Sequence, residues 1–133
     1  METNYLLDTH TFLWAANDAD VFRLGKNAKA AIENTETDIF VSSASLYEIS
    51  NKCRIGKLPE YKKIADNIFD ALYGLGAKEL PLDWEQSYLA GSMEWEHKDP
   101  FDRMLAAQAQ TEGMTLITCD KVFADVPGVD TLW

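Results

Sequence analysis

With 22 acidic side chains but only two histidines and two cysteines, carboxylates are the groups through which this chain could do chemistry. Four of them border short apolar or helical stretches: Asp8 after Tyr5-Leu6-Leu7, Glu48 after Ser45, Asp102 after Asp99-Pro100, and Asp120 after Met114-Thr115-Leu116-Ile117-Thr118. Such a histidine-free oxygen set suits a hard divalent cation, Mg²⁺ or Mn²⁺, rather than Zn²⁺. The natural substrate of such a centre is a phosphate ester. His10 and His97 are too few and too separated for a zinc signature, and His97 reads as a loop or turn residue. Cys53 and Cys119 form no CxxC pair, so both read as reduced, small core hydrophobes and no cysteine nucleophile is expected.

The elements that must position these acids alternate in type. Tyr5–Leu7 reads as a strand, followed by a helix carrying Phe12, Leu13, Trp14 and Ala16. Leu24–Glu33 reads as a second helix, Asp38–Ser42 as a β-branched strand, and Ser45–Arg54 as an amphipathic helix stopped by Gly56 and Pro59. Ile64, Ile68 and Leu72 give Tyr61–Tyr73 a helical period, and Glu79–Leu82 suits an edge strand that tolerates proline. Trp84–Trp95 and Asp99–Glu112 read as helices, Met114–Thr118 as a strand and Val129–Trp133 as a last one. This alternation predicts an α/β fold of three layers, a mostly parallel sheet with helices on both faces, in a single domain over residues 1–133.

In right-handed βαβ units each crossover helix starts at the edge where the preceding strand ends. Asp8, Glu48, Asp102 and Asp120 should therefore face one crevice, the place where open α/β sheets bind ligands. Each acid also has a plain structural role available. Ser45-x-x-Glu48 fits a capping box, Asp99-Pro100-Phe101-Asp102 fits a cap with proline at the first helical position, and Asp8 and Asp120 suit turns. Convergence separates the alternatives, because two carboxylates about 4 Å apart repel by roughly 4 kcal/mol at an effective dielectric of about 20. Four together cost more than their caps return unless a cation joins them.

Composition narrows the classes. A formal net charge of -10 removes the net-basic footprint of an ordinary nucleic-acid binder. Five of the twelve basic residues nevertheless cluster at Lys52, Arg54, Lys57, Lys62 and Lys63, continuing the Glu48 helix as a strip able to track a phosphate backbone. A solvated helix face is the alternative. Met1–Leu7 lacks the basic and apolar regions of a leader, and Phe12–Ala16 is far too short to span a bilayer, so a cytoplasmic protein is expected. Phe12, Leu13, Trp14, Trp84, Tyr88 and Trp95 sit at helical spacings that suit a core, any exposed ones marking a partner surface.

The sequence resembles the PIN-domain ribonucleases, and more narrowly the VapC-type toxins of type II toxin-antitoxin pairs. Four segments carry the likeness: Tyr5-Leu6-Leu7-Asp8-Thr9-His10, Ser45-Leu46-Tyr47-Glu48-Ile49, His97 to Ala109 with its Asp99-Pro100-Phe101-Asp102-Arg103 core, and Leu116-Ile117-Thr118-Cys119-Asp120. The resemblance implies a PIN-like domain in which Asp8, Glu48, Asp102 and Asp120 bind catalytic Mg²⁺ (or Mn²⁺). It makes Asp99 an accessory acid and gives Thr9 or Thr118 a part in positioning water or metal. It implies hydrolysis of RNA phosphodiester bonds, homodimerisation, and silencing by a VapB-like antitoxin whose tail lies across the acidic groove. Cys119 departs from relatives that carry a basic residue there. A non-catalytic PIN-like protein- or RNA-binding module is the alternative. An aspartyl-phosphate enzyme fits worse, because Asp8-Thr9-His10 lacks a DxD arrangement.

Overall fold

The computed structural model describes residues 3–133; the leader reading rests partly on Met1 and Glu2, which lie outside them. Five strands form one sheet: β1 (Asn4–Leu7), β2 (Asp38–Ser42), β3 (Lys78–Leu80), β4 (Thr115–Ile117) and β5 (Thr131–Leu132). Their order is β3-β2-β1-β4-β5, and every pairing is parallel rather than mostly so. The helices are α1 (Thr9–Ala16), α2 (Lys26–Glu33), α3 (Ser43–Arg54), α4 (Lys62–Asp66), α5 (Ile68–Leu75), α6 (Trp84–Ser92) and α7 (Pro100–Glu112), with 3-10 turns at Asp18–Arg23, Pro59–Tyr61 and Lys121–Asp125.

Strand order and the hand of the crossovers explain the layers. From β1 through β2 to β3 the chain steps in one direction, then returns past β1 to β4, so its connections change face there. Alternate side chains supply both cores. Leu7, Ile39, Val41 and Ile117 pack with Phe12, Leu13, Ala28 and Ile49 beneath α1–α3 and α5. Leu6, Leu80 and Leu116 pack with Leu105, Ala106, Ala109 and Phe123 on the opposite face. The reversal lies between β1 and β4, the position at which such sheets open a crevice.

Several element boundaries differ from the sequence expectations. Lys26, not Leu24, begins α2, because Asp18–Arg23 forms a 3-10 turn with Leu24 extended behind it. Ser42 caps α3 by accepting from the Ala44 N–H, so the helix starts before Ser45. The single helix expected over Tyr61–Tyr73 is divided, since Asn67 takes φ −126°, ψ 36° between α4 and α5. Helix α6 ends at Ser92, leaving Trp95 in a loop, while β3 stops before Pro81, which has no N–H to donate. Gly113 closes α7 in the left-handed region at φ 64°, as its position suggests. Trp84 and Tyr88, expected in the core, are 94% and 80% exposed. The buried face of α6 is occupied instead by Gln86 and Ala90, and Gln86 accepts from Gln108 of α7 at 3.2 Å.

Candidate active site

At the C-terminal edge of the sheet a cleft of about 440 Å³ is lined by Asp8, Thr9, His10, Trp14, Glu48, Lys52, Asp99, Asp102, Cys119 and Asp120. The four acids singled out in the sequence thus share one cleft with Asp99 and Thr9. Three carboxylates are held by caps. Asp8 accepts from the Thr11 N–H at 2.7 Å, Asp99 from the N–H groups of Phe101 and Asp102 at 2.9 and 3.1 Å, and Asp120 from Val122 N–H at 3.1 Å. Buried Thr118 joins two of them: its hydroxyl donates to Asp8 Oδ2 and accepts from the Asp120 N–H at 3.0 Å.

Glu48 is different. The expected capping box is absent, since Ser42 is the cap and Glu48 sits in the second turn of α3. The residue is 6% exposed, and its carboxylate takes a hydrogen bond from Thr9 Oγ1 at 2.7 Å on one oxygen and the Lys52 ammonium on the other. Ser45 Oγ lies 2.9 Å from the same Thr9 hydroxyl. Burying the Glu48 carboxylate costs desolvation that the attraction of a half-buried Lys52 only partly repays, so stability alone gives little reason for it.

Asp102 stands at the third position of α7, one residue before Arg103. Burial, reinforced by the charges of Asp99 and Asp120, pushes its carboxyl up to about 6, against the opposing pull of His97. His97 Nε2 lies 2.6 Å from Asp102 Oδ2, although nothing in its sequence surroundings marks it for that contact. Among the described residues the only potential ligand trio within 4.8 Å is His97, Asp99 and Asp102. Asp8, Glu48 and Asp120 share the cleft without joining so tight a cluster. The mutual approach of all four acids expected from the sequence is therefore looser: caps hold Asp8 and Asp120 to the turns they begin, Thr9 and Lys52 engage Glu48, and His97 engages Asp102.

Cys119 is exposed in the cleft rather than buried in a core. Partial desolvation of its thiol by the cleft walls, with the charges of Asp8 and Asp120, holds its pKa above the ordinary value, which disfavours a thiolate nucleophile. Cys53 is half-buried. Of the basic strip, only Lys52 lines the cleft. Arg54 bonds to Asn51 and Lys62 pairs with Asp66, and both line a separate cleft between α3 and α4–α5; Lys57 is exposed beyond α3.

A family model for the PIN domain matches residues 5–129. The chain belongs to the PIN-domain family. Its fold is that of VapBC2 from Rickettsia felis bound to a promoter DNA fragment, with TM-score 0.69 and 20% identity over 98% of this chain and 99% of that one. DNA-bound VapBC from Salmonella typhimurium gives TM-score 0.68 and 20% identity over 99% and 98%. VapC20 of Mycobacterium tuberculosis, a toxin that cleaves the sarcin-ricin loop, gives 0.66 and 14% over 95% and 97%. No curated protein matches the chain in sequence. Among the described residues, no helix of this PIN domain is long and apolar enough to cross a membrane.

The donor set fits a hard divalent cation. Asp102 Oδ1, Asp99 Oδ2 and Asp120 Oδ2 take no protein hydrogen bond among the described residues. An ionised carboxylate oxygen already bonded once also keeps a lone pair for coordination. Five carboxylates face one ammonium in the cleft, an imbalance that a divalent cation relieves.

Proposed function

We propose that this PIN domain is a metal-dependent endoribonuclease acting in the cytoplasm as the toxin of a type II toxin-antitoxin pair. The observation that carries it is the gathering of Asp8, Glu48, Asp102 and Asp120 from four distant chain segments at one cleft, with Glu48 buried there in no capping role. Those four would hold Mg²⁺ or Mn²⁺, with Asp99 as an accessory acid. A divalent cation held there activates water and neutralises charge on the phosphoryl oxygens. Thr118 keeps Asp8 and the Asp120 backbone in register, and Thr9 keeps Glu48 turned toward the cleft. Lys52 would meet substrate phosphate, with Arg54 and Lys57 following the RNA backbone along the end of α3.

The sarcin-ricin activity of the Mycobacterium relative supports RNA as substrate, and the VapBC relatives support a VapB-like antitoxin. Phe69 and Tyr73 are exposed on α5 beside apolar clefts, surface that an antitoxin or a second copy in a homodimer would cover. A non-catalytic module is favoured only by the capping roles of Asp8, Asp99 and Asp120, and these leave Glu48 unexplained.

Purified protein free of antitoxin should cut RNA with Mg²⁺ or Mn²⁺, stop with EDTA and resume when metal is restored. Asp8→Asn and Glu48→Gln should each reduce cleavage by at least on the order of a hundredfold, since losing a ligand costs no less than losing the outer partner that orients one. Cleavage that persists in EDTA, or survives both substitutions, would sink the metal mechanism. Intact RNA under every metal condition, with antitoxin binding retained, would favour the module.

A further inference from the structure

The Arg103 guanidinium has an unusual set of partners. Its Nε donates to the Ala90 carbonyl at 2.7 Å, Nη1 to those of Trp95 and His97 at 2.7 and 2.9 Å, and Nη2 to that of Met93 at 2.5 Å. In a strongly acidic protein this cation has no carboxylate partner among the described residues; it is spent on four main-chain oxygens. Those oxygens lie at the end of α6 and along the loop that leads to α7. A loop without regular structure has no hydrogen-bond ladder of its own, so a planar fork reaching several carbonyls at once can define its path.

The path matters because of what the loop carries. The Trp95 ring lies 4.9 Å from the His97 ring and 5.8 Å from that of Phe123, and the guanidinium carbon lies 6.0 Å from the Trp95 ring. The imidazole is thus fixed through its main chain by Arg103 and packed against the tilted Trp95 ring, with Nε2 presented to Asp102 Oδ2. One carboxylate oxygen is occupied, and Oδ1 is left without a protein partner. We propose that Arg103 and His97 are positioning residues, Arg103 seating His97 and His97 fixing the rotation of the Asp102 carboxylate in the cleft. This deepens the nuclease reading, on which Asp102 is a cation ligand, and gives that ligand the kind of outer partner that orients metal-binding groups.

Two measurements test it. With only two histidines in the chain, ¹⁵N-histidine NMR of the metal-free protein is simple to assign, with His97→Gln identifying the His97 signals and His10 serving as the internal control. Asp102→Asn and Arg103→Lys should both move the His97 ring resonances and leave those of His10 in place, because lysine keeps the charge but cannot reach four divergent carbonyls. Mn²⁺ affinity, read without RNA from the electron paramagnetic resonance signal of the free ion, should fall by about tenfold or more in His97→Gln and in Arg103→Lys. The double variant should be no weaker than the weaker single one, since both act through one carboxylate. Unmoved His97 resonances in Arg103→Lys, or losses that multiply in the double variant, overturn the proposal. Should Arg103→Lys fail to fold, His97→Gln decides by itself: a weakened Mn²⁺ affinity supports the proposal and an unchanged one overturns it. If the wild-type protein takes up no Mn²⁺, it is the nuclease reading that falls, and the histidine spectra still decide whether Arg103 seats His97 on Asp102.

Discussion

Asp102 and Glu48 show two ways of keeping a carboxylate in a poorly solvated place. Glu48 is neutralised by Lys52 on its own helix. Asp102 has only the His97 imidazole beside it, and its pKa is raised to about 6. A carboxyl whose folded pKa exceeds its unfolded value favours the folded state below that unfolded value. This contribution is lost as pH rises through the folded pKa, so for Asp102 the window runs from about 4 to about 6. Asp102→Asn should accordingly stabilise the metal-free protein near pH 7.5 by on the order of 1–2 kcal/mol, the gain fading as pH falls through 6 toward 4. Urea melts in EDTA across that range would check it. A variant less stable than the wild type throughout would mean that the His97 contact outweighs the burial of the charge.

The elements leave no room for a side chain where the end of the sheet touches the start of α2. A Cβ added at Gly25 would lie 2.6 Å from Trp133 Cδ1 and 2.7 Å from the Trp133 carbonyl carbon. Trp133 follows β5 and packs edge-on against Trp14 at 5.9 Å, and Trp14 lines the acidic cleft. Gly25→Ala should therefore destabilise by about 1–3 kcal/mol, as overpacking does, and should alter tryptophan fluorescence as Trp133 moves. Unchanged stability and emission would show that Trp133 yields at no cost. The sequence could not announce this contact, because it joins positions 108 residues apart through a sheet pairing with no local signature. By contrast, the caps at Asp99 and Gly113 were legible, since the residues that need them lie within one turn.

At the scale of the whole molecule, repulsion among the cleft acids in a protein of net charge -10 is relieved when a cation enters, so binding should appear as stability. At a Mn²⁺ concentration about a hundred times its Kd the gain should be about 2.7 kcal/mol. That is a rise of several degrees in Tm by differential scanning calorimetry, reversed by EDTA and largely lost in Glu48→Gln. An equal rise in that variant would place the ion elsewhere. By itself the sequence determined the alternation of strands and helices and the edge at which the acids emerge, because local apolar periodicity and capping residues act within a few positions, and its four acidic segments carried the likeness to the family. Tertiary structure alone decided that Glu48 is a buried partner of Thr9 and Lys52 rather than a cap, that Trp84 and Tyr88 face solvent, and that Cys119 borders the cleft. It also brought His97 to Asp102. Each of these depends on which side chains approach through space from separate elements, and a one-dimensional pattern does not encode that distance.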